Sequence, residues 1–374
     1  MSDAMPNGAR TTPYRRRAVW WLAGVLLAAA LSLSLSAYLV RGERWGAVSE
    51  RTPMELVRYV ERRLIGHPKL QYLFGPVLGA VRSSQEREPP ANLPTLGKGQ
   101  QAHALSAAGY DTAGRPRAGS GVVATQATAP APRVVSNMQD LAAAIASAAP
   151  GQVLELAPGS YALSQTLTTG MAGLPAQPIV LRAAKPGTVE IVVTALQGIV
   201  VNQPYWVFEN LDWRGACPTH DDCEHAYHVV GRARGTVILN NRMRDFNAHL
   251  KINGEGGTWP DDGLLQFNTL TNSAPRRTAL PVSLVNLVGA NGWQIADNHI
   301  ERIAKDGGNK ISYAICVKGA GQQARIERNL VVCTPERLSQ AGLRVGISLG
   351  CGATGKEFCR DGRCDVELSN SLVA

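Results

Sequence analysis

ILNNRM (238–243), LQFNTL (265–270), IADNHI (295–300) and IERNLV (326–331) repeat one phrase, apolar-x-x-Asn-x-apolar, with the asparagine at 241, 268, 298 and 329. VFENLDW (207–213) and VELSNSL (366–372) are looser copies around Asn210 and Asn370. Successive asparagines lie 31, 27, 30, 31 and 41 residues apart. A period in this range marks a stacked repeat, in which each unit buries its apolar positions only against its neighbours. Asparagine at a corner suits a β-solenoid. It tolerates left-handed backbone, and its amide can bond to the same residue one coil on. The dense leucine phrase of leucine-rich repeats and the WD and kelch signatures are missing.

The flanking sequence agrees. Brief β-rich runs, VLEL (153–156), PIVLRA (178–183), VEIVV (189–193) and GIVV (198–201), are separated by Gly, Pro and Asn. One short helix precedes them: Ser136 and Gln139 have capping-box spacing, Leu141, Ala144, Ile145 and Ala148 form an apolar face, and Pro150-Gly151 stops it. No helix-length amphipathic segment follows, which excludes alternating βαβ architecture. Four strands run into a glycine: AYHVVG at Gly231, AHLKING at Gly254, LVNLVG at Gly289 and AICVKG at Gly319. Counting back three residues predicts one stacked column of His228, Lys251, Asn286 and Cys316, about 4.8 Å apart.

The opening VVSNMQDLAAAIASAAPGQVLELAPGSYAL (134–163), followed by these repeats, resembles the right-handed parallel β-helix superfamily of pectate-lyase-like and polysaccharide-lyase proteins over about residues 134–374. The resemblance implies an all-β solenoid whose open end is covered by the short N-terminal helix. Activity is less constrained, because this fold hosts lyases, hydrolases, epimerases and binding proteins.

The other third of the chain is different in kind. The net charge of +9 sits in residues 1–133, with 17 Lys+Arg against 8 Asp+Glu; residues 134–374 hold 21 of each. The solenoid therefore has no overall polyanion footprint, and no nucleic acid is expected as a partner. Residues 1–17 read as a basic cytoplasmic tail. The uncharged run 18–40 is long enough to cross a bilayer, with Trp20, Trp21 and Tyr38 at its ends. A signal-anchor in the inner membrane is expected, or, alternatively, a signal peptide cleaved near Ala37. Both place the solenoid on the periplasmic side. Residues 41–83 contain a basic amphipathic helix (Leu56, Val60 and Leu64 opposite Arg58, Arg62 and Arg63), and 84–133 read as a low-complexity tether. All seven cysteines follow position 216, and Cys217 with Cys223 and Cys359 with Cys364 close short loops of the disulfide kind expected in an oxidising compartment. Cys316, Cys333 and Cys351 are left without an assigned pairing. The chain stops inside an Asn-cornered strand at SNSLVA, so a further extension or a partner is expected to cover that end.

Candidate chemistry gathers near the glycine phrases. Strict alternation over 247–253 turns Asn247, His249, Lys251 and Asn253 to one face, and four of the seven histidines fall within 220–249. Arg276 and Arg277 follow Lys251 by roughly one coil. Alginate- and chondroitin-type lyases are β-helices that use a Lys base with an Arg on the neighbouring coil, and Lys251 with Arg276 or Arg277 is similar to that arrangement. The resemblance implies β-elimination on an acidic polysaccharide, with Lys251, Arg276, Arg277, His228 and His249 as the catalytic candidates. Asn253, Asn286 and Trp259 are candidates for contacting the sugar, and Glu255, Asp261 and Asp262 in GEGGTWPDDG for holding Ca²⁺. Two rival functions stay open. A glycoside hydrolase needs paired carboxylates, for which Asp245, Asp261 and Asp262 are the clustered candidates. A non-catalytic carbohydrate-binding or envelope-assembly module needs only a polar and aromatic groove. No P-loop, Rossmann, HExxH or GxSxG phrase is present.

Overall fold

The computed structural model describes residues 60, 64, 68–85, 110–111, 113–116, 131–333, 342–351, 355–360 and 372–373. The chain divides into two compact units, 1–87 with 338–340, and 88–337 with 341–374. In the first unit a helix runs over Pro68–Gln85, opened by a proline whose missing N–H costs nothing in a first turn. Buried Val60 and Leu64 pack with Leu70, Phe74 and Leu78, while Tyr72, Leu73 and Val77 are exposed. The basic tail and the apolar run 18–40 lie outside the described residues. Among the described residues, no helix is long and apolar enough to cross a membrane.

The second unit is a parallel β-helix with seven complete coils among the described residues. Each coil contributes a strand in turn to three parallel sheets. Among the described residues, sheet I has nine strands and begins Arg133–Val135, Val153–Leu156, Ile179–Ala183 and Trp206–Glu209. Sheet III has seven, from Gly159–Leu163 to Leu330–Val332. Sheet II also has seven: Leu167–Thr168, Gln197–Val201, His225–Val230, Ala248–Asn253, Val282–Val288, Ile311–Lys318 and Leu343–Leu349. Inward side chains from all three sheets merge into one core. Its largest members satisfy their polar edges internally, Trp213 Nε1 on the Tyr227 hydroxyl (2.7 Å) and Trp293 Nε1 on Pro260 O (2.7 Å).

The asparagine ladder forms at the corner between sheets I and III. The backbone N–H of Asn241 donates to Asn268 Oδ1 (2.8 Å), that of Asn268 to Asn298 Oδ1 (2.9 Å), and that of Asn298 to Asn329 Oδ1 (3.0 Å). The left-handed residue is the one before each rung: Asn240, Phe267, Asp297 and Arg328 all have φ between 53° and 58°. Asn210 does not extend this ladder. Strand register pairs Glu209 with Leu239, so Asn210 (φ 62°) falls level with Asn240 and accepts its Nδ2–H (2.7 Å). Two adjacent asparagines at 240–241 let the sequence periodicity slip by one residue there.

The covering helix spans Met138–Ser147 and buries Leu141, Ala144 and Ile145. Its cap is Asn137, one residue later than the Ser136 spacing predicts. Asn137 Oδ1 accepts the Asp140 N–H (2.8 Å) and its amide holds the Asp140 carboxylate. Cys217 pairs with Cys223 as expected, Cys316 pairs with Cys351, and Cys333 is a free thiol. Cys359 is also in a disulfide, with its partner outside the described residues. Within the stretch read as a tether, Tyr110 lies on sheet I. Its hydroxyl donates to Gly235 O (2.9 Å), and its ring meets Tyr205 edge-on beside an apolar ladder of Val153, Val180, Val207, Val237 and Leu264.

Candidate functional site

Two sets of longer loops flank sheet II, one before its strands and one after, and the residues singled out in the sequence lie on or beside it. The column read from the glycines is present: Val200, His228, Lys251, Asn286, Cys316 and Ser348 are in register, strand to strand. Cys316, disulfide-bonded to Cys351, interrupts its polar part between Asn286 and Ser348.

Strict alternation fails earlier in the same strands. Ala226 and Tyr227, Leu284 and Val285, and Ala314 and Ile315 are consecutive residues that all join the core. His249, just before core residue Leu250, takes the same inward slot and is fully buried. Its ring packs on Phe246, and Nε2 donates to Thr271 O (2.8 Å), so Nδ1 is a buried acceptor without a partner. Burial, then Arg276, holds its pKa down to about 4. The outward placement expected of His249 is thus corrected.

The outward face holds two histidines and two lysines. His228 is wedged between Gln197 Oε1 (3.0 Å from Nδ1) and Asn253 Oδ1 (2.8 Å from Nε2), and a neutral ring keeps both contacts with the Gln197 amide turned so that its NH2 faces Nδ1. Asn253 donates through Nδ2 to Gly254 O, which fixes Oδ1 toward the ring and places the His228 proton on Nε2. Burial lowers the His228 pKa to about 4, so the imidazole is neutral. Lys251 Nζ donates to Asn286 Oδ1 (3.2 Å). Burial lowers its pKa to about 8, Lys318 adds to that, and Glu224 opposes it. His225 completes the group, its ring 5.1 Å from His228 and 3.6 Å from the Glu224 carboxylate. Glu224, His225 and Lys318 were missed in the sequence. Lys318 was recoverable, because it precedes Gly319 as Asn253 precedes Gly254 and strand register confirms that offset.

Arg276 and Arg277 belong to a different place. Arg276 is 3% exposed; Nε donates to Asn247 Oδ1 (3.0 Å) and Nη2 to His220 O (3.2 Å). The Arg277 N–H donates to His220 Nδ1 (2.7 Å). Both therefore engage the disulfide-closed loop Cys217–Cys223, whereas the partner of Lys251 is Asn286 on the next strand. Asn247 likewise turns to this loop, donating to His220 O (2.8 Å). Between the loop and the Ser273–Arg276 turn lies a pocket of about 150 Å³ that reaches Asp245 and Ser273.

The acidic loop does not fit a calcium cage. Asp261 is bound by Arg360 through both oxygens (2.7 and 3.0 Å), Asp262 pairs with Arg234 (2.8 Å), and Glu255 is exposed. No group of three His, Cys, Asp or Glu that could hold a metal ion occurs among the described residues. The same ion pairs occupy two of the three carboxylates a hydrolase reading relied on. Trp259 does not present an open ring: the Arg360 guanidinium sits 4.6 Å from its centroid and its Nε1 donates to Phe358 O (3.3 Å). Segment 355–360 thus packs Cys359 on Val288 and ties Arg360 to Gly289 O and Asp261.

The sequence matches no family model and no curated protein. Among solved structures it is similar to pectate lyase Pel9A, with a TM-score of 0.30 and 20% identity over 50% of this chain and 48% of that one. It is also similar to the PL6 family alginate lyase AlyGC, with a TM-score of 0.22 and 12% identity over 62% of this chain and 41% of that one. The chain spans less than half the length of either of these two proteins.

Proposed function

We propose that this chain is an exported, membrane-anchored β-helix protein that binds an acidic polysaccharide along the outer face of sheet II and cleaves it by β-elimination, with Lys251 as the base. The observation that carries the reading is Lys251 itself, an outward-facing lysine whose pKa is held near 8 by burial and by Lys318. An ordinary surface lysine stays protonated at neutral pH and cannot take a proton. The similarity in fold to two polysaccharide lyases is compatible with it.

In the proposed step the neutral Lys251 amine removes the proton at C5 of a uronate. The electron pair forms the C4–C5 double bond, the C4–O bond breaks, and the departing oxygen takes a proton from water. The positive charge of Lys318 offsets the carboxylate charge that grows as C5 loses its proton. Asn286 offers its amide to the sugar, whereas Asn253 is buried, with its Oδ1 on His228 and its Nδ2 on Gly254 O, and holds His228 in place. Export and anchoring rest on the apolar run 18–40, on the disulfides, and on the exposed Tyr72, Leu73 and Val77 of the Pro68–Gln85 helix, which suit a membrane surface.

The test is the ultraviolet absorbance of the unsaturated uronate product, followed with the full chain on alginate, polygalacturonate and glycosaminoglycans. A rise that disappears in Lys251→Ala, with circular dichroism unchanged, supports the reading. Folded wild-type protein that binds one of these polymers without producing the chromophore makes the chain a binding module instead.

A further inference from the structure

The pocket beneath the Cys217–Cys223 loop is separate from the Lys251 column and has its own chemistry. Arg276 lines it, yet the guanidinium makes no salt bridge among the described residues; Asp245 and Asp221 act on it only from further away. The two bonds it does make, to Asn247 Oδ1 and His220 O, go to neutral acceptors. A buried cation left with neutral partners is costly, and an anion arriving in the pocket would remove that cost.

The neighbouring groups are already oriented. His220 Nδ1 accepts the Arg277 N–H, so its remaining proton is on Nε2 and can be donated. Asp245 is held through Oδ1 alone, by the Ser273 N–H (2.7 Å) and hydroxyl (2.8 Å), which leaves Oδ2 able to accept a hydroxyl. The loop that presents His220 is closed by a disulfide and is pinned to the coils above by Arg276, Asn247 and the Thr278–Asp221 hydrogen bond. A cavity of about 150 Å³ has room for roughly one six-membered ring.

We infer that this pocket is a binding subsite for a single hexuronate residue, its carboxylate on Arg276 and His220 Nε2 and a ring hydroxyl on Asp245. The inference borrows from the preceding reading only in taking the anion to be part of an acidic sugar. Asp245 argues for a sugar over a bare anion, since a carboxylate in the wall repels a small anion and accepts from a hydroxyl.

Calorimetric titration of the full chain carrying Lys251→Ala, with free galacturonate, mannuronate and glucuronate, tests the pocket without the elimination chemistry. At least one uronate is expected to bind saturably, with acetate and the matching neutral hexose about tenfold weaker or worse. His220→Gln is expected to weaken the uronate about tenfold by removing one donor. Arg276→Lys, which keeps the charge and loses the fork, should weaken it at least as much. Reducing Cys217–Cys223 should abolish binding. No saturable uronate binding, equal binding of acetate, or binding unchanged in Arg276→Lys and His220→Gln would each overturn the assignment. Because the titration is done without Lys251, failure here leaves the lyase assay standing, and failure of that assay leaves this one readable.

Discussion

Asn268→Ala is the sharpest test of what holds the coils in register. Asn268 is fully buried at the centre of the ladder. Its Oδ1 accepts the Asn241 N–H (2.8 Å), and its Nδ2 donates to Ile238 O, Gln266 O and Asn298 Oδ1 at 2.9, 2.9 and 3.0 Å. Alanine orphans the Asn241 N–H and takes a donor from Ile238 O, and neither site is open to water. With about 1–3 kcal/mol for each buried group left unsatisfied, the expected loss is about 2–6 kcal/mol. Aspartate, nearly the same size, should be worse than alanine. It restores the acceptor for Asn241 but brings a second oxygen against three oxygens that now receive an N–H. The carboxyl would have to be protonated or buried as an anion, so its folded pKa must rise above the unfolded value. Stability of Asn268→Asp should therefore increase as pH falls toward the unfolded carboxyl pKa, opposite to the wild type's response below neutrality. The assay is the urea midpoint of the full chain by tryptophan fluorescence, since Trp206, Trp213 and Trp293 are all buried. A loss under about 0.5 kcal/mol for alanine, or aspartate tolerated better than alanine at neutral pH, would show that the ladder decorates a register set by the core.

Other positions give independent checks. Elimination by Lys251 should rise with pH through about 8 as the amine loses its proton, and a profile flat across that value would exclude it as the base. His249→Leu copies Leu284 of the next strand and removes a buried orphan nitrogen; Thr271 O keeps the Asp245 N–H. Because burial lowers the His249 pKa from its ordinary 6.5 to about 4, the wild type loses stability as pH falls through that interval, and the leucine variant should lose less, read from thermal midpoints against pH. Gly263→Ala places a Cβ 2.2 Å from the Trp293 ring and should cost about 1–3 kcal/mol in the same urea assay, whereas Gly346→Ala meets nothing closer than 3.6 Å and should be neutral or better. Opening Cys217–Cys223, which closes a separation of 6, should cost about 2 kcal/mol, against about 4 for Cys316–Cys351 with its separation of 35.

The fold was legible because every coil solves the same burial problem. The strands at 153–156, 179–183, 189–193 and 197–201 and the column from His228 to Cys316 follow from period and punctuation alone. Where two solutions differ by one residue, the sequence misleads. Asn210 looks like a rung because Asn240 and Asn241 are adjacent, and only the strand register shows that it belongs with the left-handed residue before the rung. The helix cap moved from Ser136 to Asn137 for a similar reason, since both types can cap and only Asn137 reaches Asp140 on two bonds.

The candidate site was less legible, because its residues are placed by loops that each have a private geometry. Lys251, His228, Asn253 and Asn286 come together since they ride on the repeat. His249 rides on it too, but the alternation rule gave it the wrong face: two consecutive core residues in each coil turn that slot inward. Offset in the chain put Arg276 one coil from Lys251, which is correct along the solenoid axis and wrong across the sheet. Arg276 sits before the sheet II strands, level with Asn247, and Lys251 lies four residues further along its strand. A count of residues per coil fixes the first coordinate and is silent on the second. The consequence is chemical. An arginine paired with the base was expected to steady the carboxylate, and the positive charge that bears on Lys251 is instead Lys318, on another strand of the same face. Arg276 is thereby left for a separate pocket. If elimination occurs on sheet II, Lys318→Met should lower the rate by weakening carboxylate stabilisation while moving the pH midpoint of the Lys251 amine upward. A loss of rate with no shift in that midpoint would mean that Lys318 acts only on the sugar.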